Sequence, residues 1–311
     1  MNIATRDSYG EALLRLGSQR EDIVVLDADL SGSTRTKAFA QEHPDRFFNL
    51  GVAEANMIGT AAGLAACGKT VFASSFAMFA AGKPWEQIRQ SICVPGLNVK
   101  ICATHAGITA GEDGKSHQML EDIALMRVLP GMTVIVPADG VEAQRAVEVA
   151  AAHNGPCYLR FSRAATPVVL PEDYHFEIGK GCVLREGTDL AIIACGVELA
   201  EGRGAAEKLS QQGIETRVIN MASIKPIDEE LIEQAARECG AILTVEEHQV
   251  RGGLGGAVAE VVARRCPVPM DMLGMEDRFG ESGTARELIE HFKLDSNSIA
   301  DRAITLLERK A

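Results

Sequence analysis

The sequence predicts two α/β domains, each built on a mainly parallel sheet covered by helices. Short runs rich in β-branched residues alternate with longer helical patterns along the chain, which is typical of β-α-β units. A length of 311 residues suits two domains of roughly 130 to 180 residues each. A polar stretch with two prolines at 164–174 predicts the linker. We therefore expect domains at 1–180 and 181–311, with the boundary near residue 180.

The first domain alternates apolar strands with amphipathic or alanine-rich helices. The predicted strands are 22–27, 70–73, 99–103, 133–137 and 157–161. The predicted helices are 54–67, 83–93, 117–128 and 140–153. Asp139 is the expected N-cap of the last of these helices, since its carboxylate can accept from a free backbone N–H.

The second domain repeats the alternation on a smaller scale. Its predicted strands are 188–195, 214–219, 241–246 and 269–273, and its predicted helices are 198–212, 228–239, 254–265 and 284–293. A glycine-rich turn at 251–257 follows the third strand, but it lacks the third glycine of a dinucleotide fingerprint. Close packing of this turn on a helix is the preferred interpretation.

Charge and composition exclude several function classes. A net charge of −12 and a single Trp argue against a nucleic acid or an anionic membrane as partner. The N-terminus has no signal-peptide core, and no apolar stretch suits a membrane span, so a cytoplasmic location is expected. The eight cysteines form no C-x-x-C pair and are expected to be reduced, buried thiols.

One carboxylate opens a helix that is otherwise apolar. Glu54 follows Asn49 and Gly51 and precedes Met57 in this segment. For an arbitrary helix, such a Glu is expected to complement the helix dipole, which contributes about 0.3–1 kcal/mol. Phe76 and Phe79 follow in the next block, spaced as one helical face; two such aromatics are more often core than cofactor contacts.

The loop after the third predicted strand of the first domain is rich in glycine and contains histidine and acidic residues. Loops at the carboxyl ends of strands are where α/β proteins place functional residues. His105, Asp113 and His117 lie in this loop, and their spacing does not suit a zinc site. A solvated polar surface loop is the alternative interpretation.

These segments resemble the transketolase family. The resemblance implies a pyrimidine-binding domain for thiamine diphosphate at 1–180, followed by a transketolase C-terminal-type domain without catalytic residues at 181–311. It implies that Glu54 hydrogen-bonds N1′ of the aminopyrimidine, where a partly desolvated carboxylate favours N1′ protonation. Phe76 and Phe79 are then expected around the ring, and Asp29 near the cofactor and the subunit contact, although Asp29 could equally be a helix N-cap.

The resemblance also implies the substrate contacts. His105 and His117 are expected as catalytic hydrogen-bond donors to the sugar phosphate, and Asp113 as a contact to a sugar hydroxyl. A phosphate clamp is implied by three further residues: Arg6, Ser33 and Arg163. Each has a structural alternative, since a terminal Arg is usually solvated and a Ser after a strand usually caps a turn. Arg163 is preferred over Arg160, which is interpreted as a strand-end charge.

A thiamine enzyme also needs a Gly-Asp-Gly motif that holds the diphosphate through a metal, and this motif is absent from the sequence. The resemblance therefore implies an N-terminal partner subunit that supplies the Mg²⁺ or Ca²⁺ ligands, in an α2β2 heterotetramer. The implied activity is ketol transfer between sugar phosphates, as in the pentose phosphate pathway.

Three alternatives remain for the function. The first is a split 1-deoxyxylulose-5-phosphate synthase. At the position of Thr104-His105, however, the pattern of that family resembles Asp-Arg. The second is a 2-oxo-acid dehydrogenase β subunit, whose loop lacks the pattern at 111–117. The third is a non-enzymatic binding remnant, which the presence of Glu54 and both histidines disfavours.

Overall fold

Parallel strands form the two larger sheets, as the alternating apolar runs predict. The computed structural model describes residues 1–310. In chain order the strands are β1 Asn2–Ala4, β2 Ile23–Asp27, β3 Phe47–Asn49, β4 Thr70–Phe76, β5 Val99–Thr104, β6 Thr133–Ile135, β7 Cys157–Arg160, β8 Ala165–Pro167, β9 Cys182–Arg185, β10 Leu190–Ala194, β11 Thr216–Asn220, β12 Ser223–Lys225, β13 Ile242–Gln249 and β14 Met270–Met275.

Helices cover both faces of these sheets. In chain order they are α1 Thr5–Gln19, α2 Ser31–Thr34, α3 Lys37–Glu42, α4 Glu54–Ala66, α5 Trp85–Gln87, α6 Asp122–Arg127, α7 Gly140–Ala152, α8 Glu198–Ser210, α9 Glu229–Cys239, α10 Leu254–Arg265, α11 Ala285–His291 and α12 Ser296–Glu308. Short 3-10 segments span Pro44–Arg46 and Ile108–Asp113, and π-helical segments span Met78–Gly82 and Ile88–Cys93.

The first sheet has seven strands in the order β12-β6-β7-β5-β4-β2-β3. All neighbours are parallel except β12, which pairs antiparallel with β6. The second sheet has five strands in the order β14-β13-β10-β11-β9, with only β9 antiparallel. The predicted α/β class with two parallel sheets is therefore confirmed.

The chain contributes one strand from its second half to the first sheet. Strand β12 comes from the second half of the sequence, yet it completes the edge of the first sheet. The start of the predicted linker is also structured, because β8 pairs antiparallel with β1 at the N-terminus. The domain boundary near residue 180 stays a prediction.

The nine predicted strands and most predicted helices are present. Asp139 caps α7 as expected, since its carboxylate accepts a hydrogen bond from the Glu142 N–H at 3.0 Å. The helix predicted at 117–128 is shorter and begins at Asp122. The reason is that Met119 bridges to Ala106 and accepts from the Gly107 N–H, which holds this segment outside the helix.

Two further sequence expectations are corrected. Phe76 is not helical but ends β4, whereas Phe79 lies in the π-helical segment that follows. All eight cysteines are free, but four are not buried as expected: Cys67, just after α4, is exposed, and Cys93, Cys182 and Cys266 are half-buried. Within residues 1–310, no helix has the length and apolar character that a membrane span requires.

Candidate active site

The carboxyl ends of four neighbouring parallel strands form one edge of the first sheet. Strands β2, β4, β5 and β7 are adjacent in that sheet and run in the same direction. Parallel strands bring the residues that follow them to a shared crevice. The predicted site residues Asp29, Phe76, His105 and Arg163 stand at or just after these four strand ends.

Glu54 is the first residue of α4 and is only 4% exposed. Both of its carboxylate oxygens lie 3.2 Å from Nζ of Lys83. The ammonium of Lys83 also sits 4.7 Å from the centroid of the Phe79 ring. A buried carboxylate is therefore held beside an aromatic face, with a half-exposed cation as its partner.

Asp29 is connected to the loop that leads to Glu54. Its φ is 65°, a left-handed conformation that Asp tolerates. The Asn49 Nδ2 donates to Asp29 Oδ1 at 2.9 Å, and Asn49 Oδ1 accepts from the Asp29 and Gly51 N–H groups. The N-cap alternative for Asp29 is wrong, because Leu30 occupies the N-cap position of α2 and no side chain caps this helix.

The aromatic residues and the histidines form one stacked group. The Phe76 and His105 rings stack with centroids 3.7 Å apart and an interplanar angle of 23°. The Phe79 ring meets His117 edge-on at 5.4 Å, and the two Phe centroids are 6.1 Å apart. The fold thus gathers Phe76, Phe79, His105 and His117 into one group, and Lys83 links the Phe79 ring of this group to Glu54.

His105 is buried and its two nitrogens have different partners. Nε2 lies 3.0 Å from Arg6 Nη1, and Nδ1 lies 2.9 Å from Thr104 Oγ1. Because a guanidinium only donates, Nε2 accepts and Nδ1 carries the proton. Burial lowers the pKa of His105 to about 3, and the nearby charges of Arg6 and Arg163 add to the effect. A donor role for Nε2 towards substrate requires the other tautomer.

His105 is expected to stay uncharged between about pH 5 and pH 8. The unfolded ring has a pKa of about 6.5. As the pH falls from there towards the folded pKa of about 3, the unfolded chain binds a proton that the folded chain does not. This residue therefore lowers the free energy of unfolding as the pH falls, by at most about 1.4 kcal/mol per pH unit. Imidazole ¹⁵N shifts, assigned with His105→Gln, measure the titration, and a midpoint between about pH 6 and 7 contradicts the expectation.

Two arginines line the crevice from different sides. Arg6 donates from Nη1 to the backbone carbonyl of Ser33 at 3.2 Å. Arg163 donates from Nη1 to the Ala110 carbonyl at 2.7 Å, and the same nitrogen lies 3.6 Å from Asp113 Oδ2. Asp113 is exposed and Arg163 is half-buried, so both can reach a ligand from solvent. The roles of all these residues stay predictions.

Sequence patterns missed the part that two residues around the site play, Lys83 and Arg160. Lys83, the partner of Glu54, lies 29 positions away and carries no motif. Arg160 is not a free strand-end charge but is buried, 2.8 Å from Asp122 Oδ2 and 3.5 Å from Glu247 Oε1. Burial alone would lower the pKa of Arg160, but these two carboxylates raise it above its usual range. Its place at the end of an apolar strand is the sequence feature that could have indicated that Arg160 is buried.

The described part of the chain, residues 1–310, holds no cluster of three or more His, Cys, Asp or Glu side chains arranged for a metal.

Two family models match the sequence. The transketolase pyrimidine-binding domain matches residues 1–168, and the transketolase C-terminal domain matches residues 179–299.

Individual proteins are similar over nearly the whole chain. A putative transketolase C-terminal section from Methanocaldococcus jannaschii is 52% identical over 98% of this chain and 96% of that protein. A 6-deoxy-6-sulfo-D-fructose transketolase subunit from Clostridium sp. (strain MSTE9) is 43% identical over 98% of this chain and 95% of that protein. A solved split gene transketolase, an inactive beta4 tetramer, has a TM-score of 0.93 at 51% identity, with coverage of 99% of this chain and 100% of that one.

Proposed function

The chain belongs to the transketolase family, and from that premise we propose that it is the C-terminal subunit of a two-chain transketolase. The family depends on thiamine diphosphate. The proposed reaction moves a two-carbon ketol unit from a ketose phosphate to an aldose phosphate. One observation carries this proposal: the buried Glu54 carboxylate is joined through Lys83 to the Phe79 ring, which belongs to a stacked group of two Phe and two His rings.

The residues present fit the aminopyrimidine end of the cofactor. Glu54 offers a buried acceptor to N1′, and Phe76 and Phe79 offer apolar ring faces next to it. When bound, thiamine diphosphate supplies the carbanion chemistry that breaks and forms the carbon–carbon bond. The part of Glu54 is to hold a proton at N1′, and low exposure strengthens that electrostatic interaction.

The proposed substrate residues differ in exposure: His105 is buried, whereas Asp113 is exposed. Arg6 and Arg163, with Ser33, are proposed to bind the sugar phosphate, since a guanidinium recognises phosphate with a fixed planar charge. His105, His117 and Asp113 are proposed to contact the hydroxyl and carbonyl oxygens of the sugar. The stacking of His105 on Phe76 limits the rotation of its ring and so fixes the direction of its nitrogens.

We propose that an N-terminal subunit provides the other half of the site. The sequence has no Gly-Asp-Gly motif, so the Mg²⁺ or Ca²⁺ that holds the diphosphate needs ligands from another chain. Helix α4, which begins at Glu54, leaves a row of small residues exposed: Ala55, Gly59, Gly63 and Ala66. Val52, just before this helix, is 74% exposed. An exposed apolar face next to the proposed cofactor site supports a partner that covers it, in an α2β2 assembly.

Mixing the chain with a Gly-Asp-Gly-bearing partner, such as the product of a neighbouring gene, tests the proposal. Ketol transfer from xylulose 5-phosphate to ribose 5-phosphate is expected only in the mixture that contains thiamine diphosphate and a divalent metal. Each subunit alone is expected to be inactive, because neither holds both ends of the cofactor.

The substrate that donates the carbon unit distinguishes the proposed reaction from its rivals. Because a similar subunit is named for 6-deoxy-6-sulfo-D-fructose, that sugar belongs in the assay as a second donor. Pyruvate serves as the donor of the rival synthase and dehydrogenase reactions. Turnover of pyruvate without ketol transfer, or no ketol transfer with any such partner, rejects the proposed function.

A further inference from the structure

The loop that carries the proposed sugar contacts is bonded to both domains. It spans residues 105–118, between β5 and α6 of the first domain. Strand β13 of the second domain lies against the segment just after this loop, since the Gln249 N–H donates to the Leu120 carbonyl at 2.9 Å. The family resemblance implies no catalytic residue in the second domain, yet a side chain of that domain bonds to this loop.

Glu247, on β13, holds the middle of the loop. The carboxylate is 3% exposed, and its Oε2 accepts from the Thr109 N–H at 3.0 Å and from Thr109 Oγ1 at 2.8 Å. Gly107 makes this approach possible: its φ is 77°, and a Cβ at this position would overlap the Glu247 carboxylate. The loop backbone and the carboxylate therefore fit each other closely.

The carboxylate is itself fixed from the other side. Arg160 Nη1 lies 3.5 Å from Glu247 Oε1, and Arg160 Nη2 donates to the Glu247 backbone carbonyl at 3.0 Å. Arg160 is in turn anchored by Asp122 at the start of α6. Thr109 is thus bonded to a group with little freedom to move.

A second contact joins the end of the loop to the second domain. The Gln118 amide nitrogen lies 2.8 Å from the Glu281 carbonyl and 3.2 Å from the carbonyls of Ile108 and Gly111. Gly280 packs so closely on the Gln118 amide that a Cβ there would overlap it. Both ends of the segment 108–118 are therefore tied to the second domain.

We propose that Glu247 is a positioning residue that acts through Thr109 to place the substrate loop, so that the second domain sets the affinity for the sugar phosphate. This inference rests on the proposed function. Ala110, next to Thr109, accepts from Arg163, and Asp113 lies beside the same guanidinium. A shift of the loop backbone at Thr109 therefore moves Arg163 and Asp113 together, and small misplacements of binding groups have large effects on rate.

Matched substitutions at Thr109 test the link without a change in charge. Thr109→Val keeps the shape but removes the hydroxyl donor, whereas Thr109→Ser keeps the hydroxyl. Hydrogen exchange of the full chain is expected to accelerate about tenfold or more at amides 108–118 in Thr109→Val and in Glu247→Gln. Exchange in Thr109→Ser, and in β4 of all three variants, is expected to match the parent chain. Unchanged exchange at 108–118 in both Thr109→Val and Glu247→Gln overturns the proposal.

Kinetics of the assembled enzyme separate positioning from general stability. The KM for the sugar phosphate is expected to rise about tenfold in Thr109→Val, with recovery in Thr109→Ser and no change in the affinity for thiamine diphosphate. Faster exchange with an unchanged KM overturns the positioning role. If the mixed parent subunits transfer no ketol unit, the proposed function fails, whereas the exchange experiment still decides whether Glu247 holds the loop.

Discussion

Glu54→Gln is expected to lower the turnover of the assembled enzyme by on the order of 10²–10⁴-fold and to leave fold and assembly intact. Gln has nearly the same shape but cannot carry the negative charge that, in the proposed role of Glu54, favours a proton on N1′. Glu54 is buried, so the lost charge is poorly replaced by water. Lys83 is half-exposed and can be solvated without its partner, so little stability is lost.

Two control variants make this result specific. Glu86→Gln removes an exposed carboxylate on α5, and activity close to that of the parent enzyme is expected. Lys83→Met breaks the same ion pair from its other side but keeps the Glu54 carboxylate. If Lys83→Met abolishes turnover as fully as Glu54→Gln, the ion pair rather than the contact to N1′ is responsible. Parent-level turnover in Glu54→Gln rejects the activating role of the carboxylate.

Arg160→Met is expected to destabilise the folded chain by about 3–5 kcal/mol, because it leaves buried carboxylates without their cation. Asp122 is fully buried, and its Oδ2 accepts from Arg160 Nε at 2.8 Å and from the Tyr158 hydroxyl at 2.7 Å. Glu247 loses its cation in the same substitution. Urea unfolding followed by circular dichroism measures the change.

Arg163→Met is the matched control for this experiment. Its side chain is 34% exposed, and its carboxylate partners are on the surface, so a change below about 1 kcal/mol is expected. Adding Asp122→Asn and Glu247→Gln to Arg160→Met neutralises the cluster and is expected to restore part of the lost stability. Equal unfolding midpoints for Arg160→Met and Arg163→Met contradict the view that Arg160 is a buried anchor.

Much of the fold could be predicted because its signals are local. Buried strands such as β2 and β5 are short apolar runs between polar turns, and this pattern directly reflects burial on both faces. Asp139 could be predicted as a cap because the cap bond spans only three residues, to Glu142. Helix α1 was not among the predicted helices, although its sequence indicates one. Its buried residues Tyr9, Leu13 and Leu16 follow the helical spacing.

The residues of the candidate site could be predicted from the sequence, whereas their spatial arrangement could not. Glu54 and the histidines could be selected from sequence because each lies in a short, characteristic string next to a strand end or a helix start. Their mutual arrangement could not: the stacking of Phe76 on His105 arises because β4 and β5 are neighbours in the sheet. Phe76 was expected on a helix, and its place in β4 depends on the continuation of that strand.

The sequence by itself determined the α/β class, the order of most elements and the family of this protein, since periodicity and short motifs are properties of neighbouring residues. Only the tertiary structure decided that Arg160 is a buried anchor, that Lys83 pairs with Glu54 and that Glu247 accepts hydrogen bonds from Thr109. These contacts join residues 38, 29 and 138 positions apart. Such pairs form when separate elements pack, and no local pattern encodes which buried charge will meet which partner.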